Sequence, residues 1–109
     1  MVILVIFIAQ LTHSPELCFG RPEHKEEAQE LMEFMENMDK YEKEAGVKRH
    51  GFYLNSNEHT FTFILEADNF LKISKFLGAR PVLTHHTAKI TPVVTLEETL
   101  EFARGVIEE

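Results

Sequence analysis

Met1-Val2-Ile3-Leu4-Val5-Ile6-Phe7-Ile8-Ala9-Gln10-Leu11-Thr12 opens the chain and runs straight into His13-Ser14-Pro15-Glu16-Leu17-Cys18. The first part is apolar almost without a break and rich in β-branched residues. That combination predicts a strand over residues 2–12, buried on both faces. Such a strand belongs at the centre of a sheet, so the other elements must be arranged around it. Pro15 blocks its continuation. Residues 14–22 then read as a loop, broken again at Gly20 and Pro22.

Beyond the loop, the pattern changes from continuous to helical. A helix is predicted from Pro22 or Glu23 to Ala45. Pro22 suits a first turn, Glu23, Glu26 and Glu27 suit the positive end of the dipole, and Gly46 is a natural stop. Ala28, Leu31, Met32, Met35, Met38 and Tyr41 recur at three- and four-residue steps as its apolar face. Two strands follow, over 47–55 and 60–66, joined by the turn residues Asn55-Ser56-Asn57-Glu58-His59. Phe61, Phe63 and Leu65 alternate with Thr62, Ile64 and Glu66 and give the second of these one strongly apolar face. Asp68 reads as the N-cap of a short helix ending near Leu77. A fourth strand lies within 82–94, with Pro92 marking an edge. Thr95-Leu96-Glu97-Glu98 is a capping box that starts a last helix reaching about Ile107.

The order is βαββαβ plus a C-terminal helix, an α+β fold in one domain over residues 1–109. Right-handed crossovers then give a four-stranded antiparallel sheet of order 4-1-3-2, the ferredoxin-like arrangement. In element order and length, from Met1 to about Val94, the chain resembles the dimeric α/β-barrel superfamily. That group holds small monooxygenases, muconolactone isomerases and many uncharacterised stress-related proteins. The resemblance implies a homodimer with two sheets face to face and a pocket in each subunit. It rests on pattern, so it transfers no catalytic residue. Packing gives a separate reason for a dimer: both helices of the repeat cover one sheet face, and the other face needs a cover.

Composition narrows the function classes. The formal net charge of -7 argues against a phosphate backbone as partner. A single cysteine allows no intrachain disulfide and points to a reducing, cytoplasmic setting. Residues 2–9 have no basic residue before them, no cleavage signal after them, and too short a run to span a membrane.

The chemistry-bearing residues gather at the end of the first strand. His13 and Cys18 are the types that ligate zinc or copper, and Glu16 between them adds an oxygen ligand or a base. The plainer alternative is that Cys18 packs as a small apolar group and His13 only ends a strand. His85 and His86 begin the fourth strand, which runs antiparallel to the first, so one of them comes to the same end. Consecutive strand residues face opposite ways, and only one can reach a given site. Ala88 and Ile90 put the His86 face toward the helices and leave His85 on the open face, from which His85 is expected to approach His13. His59, in the hairpin turn, shares that end of the sheet but reads as a solvated turn residue; His24 reads as exposed, and His50 lies nearer the other end. Arg49 and Arg80 are candidate anion clamps, with Arg80 at the His13 end. Tyr53 becomes a hydrogen-bond donor to a ligand if it faces the pocket. The methionines at 32, 35 and 38 read as core.

Three functions fit these residues. One is a small homodimeric protein, binding or catalytic, with a His/Cys site for zinc or copper. Its metal ligands would be His13, Cys18 and His85 or His86, with Glu16, Tyr53 and Arg80 serving a small-molecule ligand. Another is a metal-free barrel or a monooxygenase- or isomerase-like enzyme, with histidine as acid and base. The third is a partner-binding module without a small ligand.

Overall fold

The computed structural model describes residues 4–78 and 86–108. Strand β1 is Val5–Thr12, followed by 3-10 turns at Pro15–Leu17 and Pro22–His24. Helices α1 (Lys25–Glu36) and α2 (Met38–Ala45) lead to the hairpin β2 (Lys48–Asn55) and β3 (Thr60–Ala67). Then come α3 (Phe70–Gly78), β4 (Thr87–Val93) and α4 (Leu96–Glu108). The sheet order is β2-β3-β1-β4 with every pairing antiparallel, so the apolar first strand does sit inside the sheet.

The burial of β1 is one-sided. Phe7, Ala9 and Leu11 are buried in the core, whereas Ile6 and Ile8, on the opposite face, are only half-buried. The expectation of two fully buried faces is corrected for the single chain, because α1, α2 and α3 cover one face only. On the covered side, Phe61, Phe63 and Leu65 of β3 meet Leu31, Phe34, Ile73, Phe76 and Leu77 in one core. Phe34 stands at its centre, 5.3 Å from Phe76 and 5.6 Å from Tyr41 between ring centroids.

The single predicted helix over residues 22–45 is two helices. At Asn37 the side-chain amide donates to the Glu33 carbonyl at 3.0 Å, competing with the backbone ladder as Asn does in helices. The apolar stripe is accordingly Leu31, Phe34, Met38, Tyr41 and Ala45, while Met32 and Met35 lie outside it and are exposed. Gly46 ends α2 at φ +75°, the left-handed conformation that glycine adopts at low cost, and its N–H returns to Glu42 O at 2.9 Å.

Two further expectations move by small steps. The cap of α3 is Asn69, whose Oδ1 accepts the Lys72 N–H at 3.1 Å; Asp68 instead pairs with the Lys72 ammonium at 3.0 Å. Arg49 is no open anion clamp. It is held by Glu42 at 2.7 Å and Asp39 at 3.1 Å, and the Glu42 hydrogen bond raises its already high pKa. The capping box of the last helix stands as read: Glu98 N–H donates to Thr95 Oγ1, and Thr95 N–H to Glu98 Oε1, both at 3.1 Å. None of the described residues of α4 is buried, and Leu96, Leu100, Phe102, Val106 and Ile107 are exposed along it. Among the described residues, no helix is long and apolar enough to cross a membrane.

Candidate metal centre

Sheet register builds the site. Thr12 is opposite Thr60 on one side and Thr87 on the other. One residue further along, His13 therefore falls between His59 and His86, each next in register on its own strand. The His13 N–H donates to the His59 carbonyl at 3.2 Å and so carries the β1–β3 ladder one step beyond the strands. Residues paired across antiparallel strands point to the same face, here the face that also carries Leu11, Phe61 and Ala88. The three imidazoles consequently form a row on the helix-covered side.

Their ring nitrogens meet. His13 Nδ1 lies 3.0 Å from His86 Nε2, and His13 Nε2 lies 3.3 Å from His59 Nδ1. His13 itself is buried, at 7% exposure. Phe19 packs edge-on against it with a centroid separation of 5.4 Å and tilts over His86 at the same distance. Phe61 closes the row from below, 4.9 Å from His86. His59 reaches this position through a left-handed backbone, φ 53°, in the turn between β2 and β3. Histidine tolerates that region better than most residues, though at some cost.

The loop after β1 delivers the cysteine. The two successive 3-10 turns fold it back, and Cys18 Sγ accepts the Gly20 N–H at 3.4 Å. His13, Cys18 and His59 place one ligand atom each within 4.8 Å of one another. A tetrahedral ion with metal–nitrogen bonds of about 2.0–2.1 Å separates two imidazole nitrogens by about 3.3 Å. The His13–His59 spacing matches that value, so the cluster is one that could hold a metal. The trio opens on a pocket of about 230 Å³, whose wall includes Phe19, Leu31, Met35, Leu54 and Phe61.

The candidate residues divide. His13 and Cys18 come together as read. His86 reaches His13; His85, expected to approach His13 from the open face, and Arg80 lie outside the described residues. Glu16 is exposed and turned toward its own turn. Its carboxylate is held below the usual range, first by its own backbone N–H and then by the Ser14 hydroxyl. Tyr53 is opposite Thr62 on the uncovered sheet face, away from the pocket. His24 is half-buried rather than exposed, its Nε2 2.8 Å from the Glu16 carbonyl oxygen. His50 pairs with Glu66 at 3.1 Å on the open face. His59 is the member of the cluster that the sequence did not single out, although its place at the His13 end of the sheet was the available signal.

The family described as Domain of unknown function (DUF3303) matches residues 18–107, most of the chain. The chain belongs to the DUF3303 family. Within this DUF3303 protein the matched stretch contains Cys18, His59 and His86, while His13 precedes it. Neither the curated proteins nor the solved structures yield a match.

Proposed function

We propose that this DUF3303 protein is a small cytoplasmic homodimer of the dimeric α/β-barrel type, one domain per chain, which binds zinc or copper through His13, Cys18 and His59. The observation that carries the reading is the 3.3 Å spacing of His13 Nε2 and His59 Nδ1, with Cys18 in the same cluster. A thiolate and two imidazoles are ligands for borderline and soft transition metals. Three protein ligands leave a position for water or a small ligand entering from the apolar pocket. His86 stands behind His13. If it accepts the Nδ1 proton, it fixes the tautomer in which Nε2 is free to ligate.

The homodimer is supported by two apolar surfaces that none of the described residues covers. Ile6, Ile8, Ile64 and Val93 are half-buried on the open sheet face, and α4 carries its exposed apolar residues beyond the sheet. A metal-free reading has its own support, because the pocket wall is dominated by Phe19, Leu31, Leu54 and Phe61 and suits an apolar organic molecule with histidine as acid and base.

Elemental analysis of untagged protein, followed by titration of the apoprotein with zinc and with copper, separates the two. Cys18→Ser and His13→Ala should each lower affinity. Equal weak binding in wild type and both variants would leave the metal-free pocket as the function.

A further inference from the structure

We infer that the ion this site is built for is monovalent copper, and that Met35 supplies a fourth, thioether ligand. The inference rests on the metal-binding reading above and adds to it the ion and a ligand. Three observations lead there.

The first is the makeup of the pocket wall. His13, Cys18, His59 and Met35 line the same pocket, and among the described residues no aspartate or glutamate lines it. Two imidazoles, a thiolate and a thioether are a soft donor set. Thioether sulfur is a ligand for copper, whereas zinc sites draw on Cys, His and carboxylates.

The second is charge. Among the described residues Cys18 is the one anionic ligand on offer in that wall, and the rest of the wall is mostly hydrocarbon. A thiolate with Cu(I) and neutral ligands is a neutral unit. The same ligands around Zn(II) leave an uncompensated positive charge in an apolar surrounding, which is costly without a second anion. The net charge of the chain does not repair this, since Glu58 and Glu16, the carboxylates nearest the ligands in sequence, are both exposed; Glu58 accepts from the Asn55 amide at 3.3 Å and Glu16 is bonded within its own turn.

The third is the placement of Met35. It lies one position outside the core stripe of α1 and is 38% exposed, so the core packing does not require it. It nevertheless leans on the pocket that holds the cluster. Its unbranched side chain, with three rotatable bonds, can bring sulfur to an ion without moving the helix.

The test is an anaerobic titration of full-length apoprotein with Cu(I) against a chromogenic Cu(I) chelator, and a parallel zinc titration. Both are run on wild type, Met35→Leu and Cys18→Ser. Met35→Leu conserves volume, and an unchanged melting temperature confirms that it folds. The expected result is one Cu(I) per chain. Met35→Leu should weaken Cu(I) by at least about tenfold, the lower end of what even outer-shell partners contribute, and leave zinc unchanged. X-ray absorption at copper should count two sulfur ligands in wild type and one in Met35→Leu. Unchanged Cu(I) affinity in Met35→Leu, or zinc displacing Cu(I) from an equimolar mixture, would overturn the copper assignment while the metal site stood. Binding of neither metal would remove the site itself.

Discussion

His13 Nδ1 and His86 Nε2 are 3.0 Å apart across the β1–β4 boundary, so two residues 73 positions apart in sequence share one proton position. In the proposed site His86 never touches the metal and acts through His13. Replacing it with Ala should lower metal affinity about 10–100-fold at unchanged stoichiometry. His86→Gln, whose amide oxygen can still accept the proton, should recover most of the loss. Competition titrations of the two variants check this; equal losses in Ala and Gln would reduce His86 to a packing role.

Phe34 and Met32 lie two residues apart on α1, yet they should behave oppositely. Phe34 is 1% exposed in the aromatic core and Met32 is 56% exposed. Phe34→Ala should cost about 3–5 kcal/mol, the range for large-to-small changes in a packed interior. Met32→Ala should stay within about 0.5 kcal/mol. Urea unfolding of both variants measures the difference.

The helix caps give a finer comparison. Asn69→Ala removes the acceptor for the Lys72 N–H at the start of a helix that buries Ile73, Phe76 and Leu77. Its cost should be about 1 kcal/mol in global stability. Thr95→Ala removes an equivalent cap from α4, but α4 buries none of its described residues. That loss should appear as reduced helix content with little change in the unfolding midpoint. Circular dichroism and denaturant melts, run together, distinguish the two effects.

The proposed dimer predicts a light-scattering mass of twice the 12.6 kDa chain at micromolar concentration. Ile64→Lys places a charge in the middle of the open sheet face, on β3, and leaves the helix-covered core untouched. It should convert the protein to monomers with unchanged secondary structure. A monomeric wild type would refute the dimer, and a dimeric Ile64→Lys would move the interface elsewhere.

Local pattern was enough for the architecture. The apolar run of β1, the alternation of Phe61, Phe63 and Leu65, the Gly46 stop and the Thr95 capping box each follow from one short segment, and handedness rules order those segments into a sheet. Position within a helix was harder. Leu31 is compatible with both a Met32–Met35 face and a Phe34–Met38 face, and only packing against Phe63 and Phe76 selects the second. Asn37 reads as an ordinary helical residue until its amide reaches the Glu33 carbonyl.

The site divides along the same line. His13 and Cys18 were legible because they follow one strand within six residues, and a loop that short keeps them near each other. His86 was legible only as an alternative to His85, and His59 only as a turn residue at the same end of the sheet, because their relation to His13 is set by register. A shift of one residue in either pairing would turn the imidazole to the opposite face. Register is fixed by long-range burial of Phe61 and Leu11 on one side of the sheet, and that is a property of the folded chain. The sequence by itself determined which elements form and which ligand types are available. Tertiary structure alone decided that three histidines, each one residue beyond a strand end, would stand in one row.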